Sequence, residues 1–461
     1  MQVILPPMSA AQKLCPEPKI ADGPYRLSQF AISAPCEEGV LLYHTLTGEL
    51  LLLSEEEFRV SADGGAAGED LKVRRFLVPE NYDEYTLCRQ VMSVARLLAP
   101  KKKGITGFTV FTTTDCNARC PYCYELGRPR TPMSDRTAAD AADYIARVSE
   151  GGKVTLSWFG GEPLMNTKAI DIITSELRVR GVPFRSKIVS NGYLFDGDLV
   201  RKAKDEWALE FAQITLDGTE ETYNRIKGFT DCEGSAFRRV LSNIGLLLDA
   251  GVRVKIRLNV DLDNVRDLSK LTDELAERFR GERKPVLYSV LIHDFSTPGE
   301  SPGVGAEALA AWDGLQRKIL ATPLGSVRRL PRSIQANGCM ADSDSSVTIL
   351  PDGRIGKCEH ESEQLTVGSI YDGITDPETV AWWRERVEVP ECQTCALSPL
   401  CIRLRLCSWT ADRCTDEDRE RMRLSAEQMI VNEYRRSLKE GGDKIDADED
   451  PEKTDYSGFG R

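Results

Sequence analysis

The sequence predicts an α/β protein: a partial (β/α)6 TIM-like barrel with a small α+β domain before it and a cysteine-rich domain after it. Three observations carry this prediction. Between Ile105 and about Ala321, strand-like apolar runs alternate six times with longer helical runs, the pattern of βα units on a parallel sheet. Before them, residues 1–100 show short apolar runs separated by turn residues, and after them cysteines recur at short intervals from Cys339 to Cys414.

In the first segment, Arg26 to Ile32, Val40 to Tyr43 and Glu49 to Leu53 read as strands, the last following a Thr-Gly turn, and Tyr82 to Leu98 reads as a helix. The stretch Ala62 to Gly68 is rich in Gly and Ala and reads as a mobile tip. In the barrel (105–325), the strands are Thr106–Thr112, Val154–Phe159, Arg185–Ser190, Phe211–Leu216, Val252–Val260 and Val286–His293. The helices are Asp135–Ser149, Thr167–Arg180, Asp196–Glu206, Ala236–Ala250, Asn264–Arg280 and Ala306–Ala321. Six units leave a barrel open along one side, with chemistry expected at the carboxyl ends of its strands. Residues 330–436 form the cysteine-rich domain with a closing helix, Glu417–Arg436, on which Met422, Ala426, Met429 and Ile430 make a packing stripe. The tail, 437–461, mixes charges with Gly, Pro and Ser and reads as disordered.

Composition excludes several classes. A net charge of -12 disfavours general nucleic-acid binding, and Lys101 to Lys103 read as a solvated linker. No run approaches the roughly 18 apolar residues of a membrane span, and Met1 to Leu14 lacks the order of a secretion signal, so a cytoplasmic protein is expected. Fourteen cysteines against three histidines in a reducing compartment point to thiolate-held metal. Cys15, Cys36, Cys88 and Cys232 fall outside the arrays and read as small hydrophobes.

The densest chemistry is Cys116-x-x-x-Cys120-x-x-Cys123, just after the first barrel strand. Three thiolates for a four-iron cube leave one iron open to a substrate, whereas a structural zinc needs a fourth ligand, which no Cys or His between Cys123 and Cys232 provides. Gly160-Gly161-Glu162-Pro163 follows the second strand, Ser190-Asn191-Gly192 the third, and Thr215-Leu-Asp217-Gly218 the fourth. Glycines allow close backbone approach and a carboxylate pairs with an ammonium. Each element is alternatively a polar strand-end turn; Lys227 is alternatively a surface charge, and Asn259 a satisfied buried amide.

The triad, with Tyr122 before its third cysteine, resembles the signature of the radical S-adenosylmethionine (SAM) superfamily. In that family the open iron chelates the amino and carboxylate groups of SAM, whose cleavage yields a 5'-deoxyadenosyl radical. The resemblance implies that Gly160, Gly161, Glu162 and Pro163 meet the SAM ammonium, that Ser190, Asn191, Thr215 and Asp217 bond its ribose and amino-acid parts, and that Lys227 meets its carboxylate.

The second array, Cys339, Gly353-x-x-x-x-Cys358, then Cys392-x-x-Cys395, Cys401, Cys407 and Cys414, resembles the SPASM extension of these enzymes, which holds two auxiliary 4Fe-4S clusters. By that resemblance Cys339, Cys358 and Cys407 hold one cluster, with an iron left open to a substrate thiolate, and Cys392, Cys395, Cys401 and Cys414 hold the other. The gap from Cys401 to Cys407 is longer than the family's, and the last gap shorter; a pair of zinc ribbons is the rival reading. Glu359 occupies the place of a catalytic aspartate in sulfatase-maturing relatives, or is a solvated turn residue beside His360.

The first 100 residues resemble the leader-binding domain of enzymes that mature ribosomally made peptides, where a leader adds a strand to a sheet edge; a buttress for the barrel is the alternative. Thr112 to Cys120 together with Trp158 to Pro163 resembles maturases that form thioether links in cysteine-rich peptides. The implied partners are a ribosomally synthesised precursor peptide and a flavodoxin- or ferredoxin-type reductant. Carbon–carbon crosslinking or side-chain oxidation is the second reading, and a non-catalytic iron–sulfur electron carrier the third.

Overall fold

A computed structural model describes the chain apart from residues 17–22, 63–65, 100–102, 293–304, 327–328, 333, 335–337, 361–363, 408–413 and 440–461. The expected linker at Lys101 and Lys102, the end of the sixth strand at His293 and nearly all of the tail lie outside the described residues. The chain divides into two compact units, residues 1–100 with 327–339 and 386–461, and residues 101–326 with 340–385. The cysteine-rich segment is thus shared between the units, where the sequence suggested a domain of its own.

The first unit begins with β1 (Gln2–Leu5), α1 (Ser9–Leu14), β2 (Tyr25–Leu27), β3 (Ala31–Cys36), β4 (Gly39–His44) and β5 (Leu50–Leu53). It continues through α2 (Glu55–Ala62), α3 (Ala66–Val73), β6 (Leu77–Pro79) and α4 (Glu84–Leu98). Strands β1-β5-β4-β3 form an antiparallel sheet and β2 pairs with β6. The expected strand Arg26 to Ile32 is broken in two, because the Ser28 hydroxyl accepts from the Phe30 amide and the chain turns back there. Of the expected Ala62 to Gly68 tip, Ala62 ends α2 and Ala66 to Gly68 begin α3, while 63–65 lie outside the described residues. Gly48 turns β4 into β5 at φ +70, a conformation glycine adopts without strain.

The second unit runs β7 (Gly107–Thr113), α5 (Asp135–Val148), β8 (Val154–Gly160), α6 (Thr167–Val179), β9 (Phe184–Ser190), α7 (Gly197–Asp205) and β10 (Leu209–Leu216). Then follow α8 (Glu220–Lys227), α9 (Ala236–Asp249), β11 (Arg253–Val260), α10 (Val265–Arg278), β12 (Val286–Leu291) and α11 (Ala306–Ala321). Next come β13 (Ser346–Ile349), β14 (Arg354–Gly356), β15 (Thr366–Ser369), β16 (Gly373–Ile374) and α12 (Pro377–Arg384). The strands β7 to β12 lie parallel in sequence order, the six βα units expected. Four helix starts carry a polar cap: Ser134, Asn166, Asp196 and Ser235 accept a backbone N–H three residues on, worth about 1 kcal/mol apiece. One face of every strand is apolar, with Leu156, Trp158, Ile188, Ile214 and Ile256 fully buried.

The β7 margin of the six parallel strands carries further strands from later in the chain. Strand β13 pairs parallel to β7, Ser346 opposite Gly107 and Ile349 opposite Val110, and β14 to β16 extend the sheet to ten strands. The last helix, α13 (Asp416–Lys439), belongs to the first unit, where Met422, Ala426, Met429 and Ile430 join Leu41, Tyr43 and Leu50 in one core. Its apolar stripe is therefore a packing face, as its spacing indicated.

Candidate radical SAM site

The three triad thiols lie in the loop after β7, and that loop is bonded into the ends of the neighbouring strands. The Asp115 carboxylate accepts from the Cys116 amide at 2.8 Å, and the Asp115 carbonyl accepts from the Glu162 amide at 2.8 Å. The Gly161 amide donates to the Thr113 carbonyl at 3.1 Å. At Gly161 a Cβ would lie 2.3 Å from the Asp115 carbonyl oxygen, so the two backbones meet only because the residue has no side chain. Gly160, at φ +121, would place a Cβ 2.0 Å from the Thr113 carbonyl oxygen.

Burial drives the Cys116 thiol up to about 12, with the nearby Glu162, Cys120 and Cys123 charges adding to it and the Ala118 amide opposing. Cys123 is raised for the same first reason. Three soft donors within electrostatic reach of one another suit a bound cationic cluster that would hold them deprotonated. Among the described residues no three Cys, His, Asp or Glu side chains are arranged to hold a single ion.

Glu162 lies at the centre of a polar network. Its carboxylate is fully buried and accepts from the Leu164 amide (3.1 Å), the Ser190 hydroxyl (2.9 Å) and the Asn191 amide (2.7 Å). Burial nevertheless raises it to about 7, against those bonds and the Lys227 charge. It ties the end of β8 to the end of β9. Asn191 carries the tie onward, donating to the Asn117 side chain at 2.7 Å, with the Cys116 sulfur 4.0 Å away.

Lys227 is buried, which removes the surface-charge reading. Its ammonium pairs with Asp217 Oδ2 at 2.9 Å and donates to the Tyr122 hydroxyl at 3.0 Å, while that hydroxyl donates to the same Asp217 oxygen at 2.7 Å. The Asp217 charge, joined by Cys120, holds Lys227 well above the usual lysine range although burial opposes it. Asp217 Oδ1 and the Tyr223 hydroxyl are buried without a hydrogen-bond partner, polar atoms a bound amino acid or ribose would satisfy. Thr215 stands on β10 opposite Arg257 of β11. The Asn259 carboxamide accepts from Arg257 Nε at 2.8 Å, which makes it the satisfied amide of the two readings.

A second group, unsignalled by periodicity, follows Cys123. Tyr124 is half-buried and packs against the His360 ring, centroids 4.3 Å apart, and Arg128 donates to the His360 carbonyl at 3.1 Å. Burial raises Tyr124, and the Glu125 and Glu359 charges raise it further. Glu359 is thus buried, not the solvated turn residue of the alternative reading. Its neighbour Cys358 is also buried.

In the first unit Cys392, Cys395, Cys401 and Cys414 act on one another electrostatically. Cys401 is pushed up to about 12, first by burial and then by the other three thiols, with Arg403 opposing. Cys339 and Cys407 lie in this unit as well, and Cys358 in the other.

A six-stranded parallel sheet with a three-thiol loop, a glycine turn and polar strand ends at one rim defines the class: an α/β enzyme-type domain built to hold a thiolate-bound cofactor. Residues 110–275 match the family model of the Radical SAM superfamily, and the chain carries a radical SAM domain. Among curated proteins it is 27% identical to the Fe-coproporphyrin III synthase of Methanosarcina barkeri over 165 residues, 36% of this chain and 39% of that protein. It is 25% identical to the AdoMet-dependent heme synthase of Oleidesulfovibrio alaskensis over 35% of this chain and 41% of that one. The chain thus spans about two fifths of the length of these two relatives. Among solved structures, anSMEcpe with bound AdoMet is similar at 16% identity, covering 72% of this chain and 99% of that chain with a TM-score of 0.57. The same protein with AdoMet and the Cp18Cys peptide gives 0.55, and Streptococcus suis SuiB bound to S-adenosylmethionine gives 0.51 over 82% of this chain and 94% of that one, at 14% identity. These likenesses show the fold.

No helix among the described residues is long and apolar enough to cross a membrane.

Proposed function

We propose that this chain is a radical SAM enzyme that modifies a ribosomally made peptide, joining a cysteine sulfur to carbon as a thioether. The observation that carries the reading is the joining of the Cys116–Cys120–Cys123 loop to the Gly160–Pro163 turn and the Ser190–Asn191 strand end through Glu162, Asn191 and Asn117. Cys116, Cys120 and Cys123 would hold a 4Fe-4S cluster, with the glycine turn, Asn191, Thr215 and Asp217 around SAM. Bound there, cluster and SAM together supply a 5'-deoxyadenosyl radical for hydrogen-atom abstraction. The chain's own part is positional: Glu162 fixes two strand ends, and Lys227 and Asp217 fix Tyr122 beside the third cysteine.

The substrate assignment draws on the fold shared with a protein solved with a peptide bound and on the seven further cysteines, which we assign to two auxiliary clusters in the grouping given above. Glu359, buried beside Tyr124, is the proposed proton acceptor. A second reading, a carboxylate-bearing tetrapyrrole as substrate, is favoured by the names of the two curated relatives.

Anaerobically reconstituted protein with dithionite and SAM should release 5'-deoxyadenosine; none released would refute the enzyme reading. Co-expression with a cysteine-containing precursor should remove two hydrogens per link and protect the thiol from alkylation. A mass loss with thiols still alkylatable would replace the thioether by a carbon–carbon bond.

A further inference from the structure

Helix α8 brings to the candidate SAM site a side chain that no strand end supplies. The end of the helix is tied to the thiol loop: the Lys227 carbonyl accepts from the Arg119 amide at 2.7 Å, and just beyond it the Thr230 amide donates to the Asn117 carbonyl at 3.0 Å. Gly228, left-handed at φ +53, ends the helix between these two bonds. Tyr223 stands one turn before Lys227, so the two side chains share a face of α8. The Tyr223 ring packs against Phe237 and Phe229, centroids 5.7 and 6.3 Å away, and the Lys227 ammonium lies 5.9 Å from its own centroid.

Tyr223 and Asp217 are fully buried, and each carries a polar atom, the phenol oxygen and Oδ1, with no hydrogen-bond partner among the described residues. The Lys227 ammonium and the Tyr122 hydroxyl both meet the other Asp217 oxygen, Oδ2, and leave Oδ1 unanswered. Burial raises the Tyr223 phenol; Lys227 opposes, and the Asp217, Cys120 and Glu162 charges add to the rise, so this hydroxyl sits among the charged groups of the site. Unbonded buried polar groups are costly and few in native proteins, and two in one site call for a ligand that bonds both.

The two atoms differ in kind, since Oδ1 of an ionised carboxylate only accepts while a phenol can donate. The head of an α-amino acid offers the matching pair, an amino group that donates and a carboxylate that accepts. Ribose hydroxyls match as well, but the reach of Cys120 to both Tyr223 and Lys227 favours the head, whose two groups are those that meet the thiolate-held iron. We propose that Tyr223 and Asp217 hold the amino-acid head of SAM, the phenol donating to its carboxylate and Oδ1 accepting from its amino group. The inference rests on the radical SAM reading above and adds Tyr223, which no sequence motif singles out.

The test uses the anaerobically reconstituted full chain, left oxidised so that SAM binds without being cleaved, and equilibrium dialysis of three probes. SAM and S-adenosylhomocysteine carry the head; 5'-methylthioadenosine keeps the ribose, adenine and sulfur without it. In Tyr223→Phe the first two should each bind about ten- to a hundredfold more weakly, as loss of one hydrogen bond to a charged group gives, and 5'-methylthioadenosine should bind as in the parent. Without ligand the variant should melt at the parent's temperature or up to about 3 °C above it, because the change removes an unbonded hydroxyl and keeps the ring against Phe229 and Phe237. Unchanged SAM affinity, or equal weakening of all three probes, overturns the proposal. So does a variant that melts below the parent, which would show the phenol bonded within the protein itself. A parent that binds none of the probes refutes the SAM site as a whole, whereas tight parent binding with an indifferent variant refutes this inference alone.

Discussion

Gly161→Ala tests the narrowest backbone approach in the site. The new methyl carbon would lie 2.3 Å from the Asp115 carbonyl oxygen, 2.7 Å from the Asp115 carbonyl carbon and 2.8 Å from the Thr114 carbonyl oxygen. All three are backbone atoms that no rotamer change can move. A carbon–oxygen contact normally settles near 3.3 to 3.6 Å, so the loop carrying Cys116 must retreat by about 1 Å. Forcing an extra carbon into a packed region costs about 1–3 kcal/mol, which a chain of this size survives. A displacement of about 1 Å in a reacting constellation costs on the order of a hundredfold in rate. The expected result is therefore a folded protein, with a melting temperature lowered by a few degrees and 5'-deoxyadenosine release reduced about a hundredfold. Gly245→Ala is the control: it lies in α9 with nothing within 4 Å of the added carbon, and helix propensity favours the change by up to about 1 kcal/mol. If Gly161→Ala released 5'-deoxyadenosine at the parent rate, the claim that the glycine turn and the thiol loop are fitted to each other would be wrong.

Lys227→Met should destabilise by about 3–5 kcal/mol, since Asp217 is left as a buried, half-satisfied charge; the double change with Asp217→Asn should recover much of the loss in denaturant melts. Replacing Cys116, Cys120 or Cys123 by Ala should eliminate SAM cleavage and lower bound iron by one cluster's worth, read by iron assay and electron paramagnetic resonance. Acid should loosen the first unit through His44, which burial lowers to about 3, with the Arg75 charge adding to it. Because the unfolded imidazole titrates near 6.5, the unfolded state binds the extra proton between the two values. Stability should then fall by up to about 1.4 kcal/mol per pH unit as pH drops below about 6.5. His44→Phe should flatten that slope in pH-dependent melts; an unchanged slope would place the acid sensitivity elsewhere.

The six βα units were legible because each strand is a run of apolar and β-branched residues and several helices open on a polar cap, as at Ser134 and Asp196. Ala306–Ala321 agrees with its expected bounds. Strands β13 to β16 went unread because they are two to four residues long, too short for alternation to declare itself, and β13 is held on one side by a strand far back in the sequence. Helix α8 was missed because Tyr223 is the one large apolar side chain of its buried face. In the site, residue type revealed the thiols and the glycine turn. What it concealed was partnership: the Glu162 carboxylate accepts from Ser190 and Asn191, and Tyr122, Asp217 and Lys227 give no hint, 95 and 105 positions apart, of a shared bond. Such contacts are set by strand register and loop closure, which local patterns do not encode.

The pairing of β13 with β7 has a bearing on how the chain is made. Ser346, which lies against Gly107, is synthesised roughly 240 residues after it. At translation rates of about 5–20 residues per second, the backbone of β7 stays unpaired on that side for on the order of 10 to 50 seconds after it leaves the ribosome. During that interval Phe108, Val110 and Phe111 belong to a strand open to any passing chain, so aggregation in a heterologous host should be most sensitive to chaperone supply and slow codons between these two points.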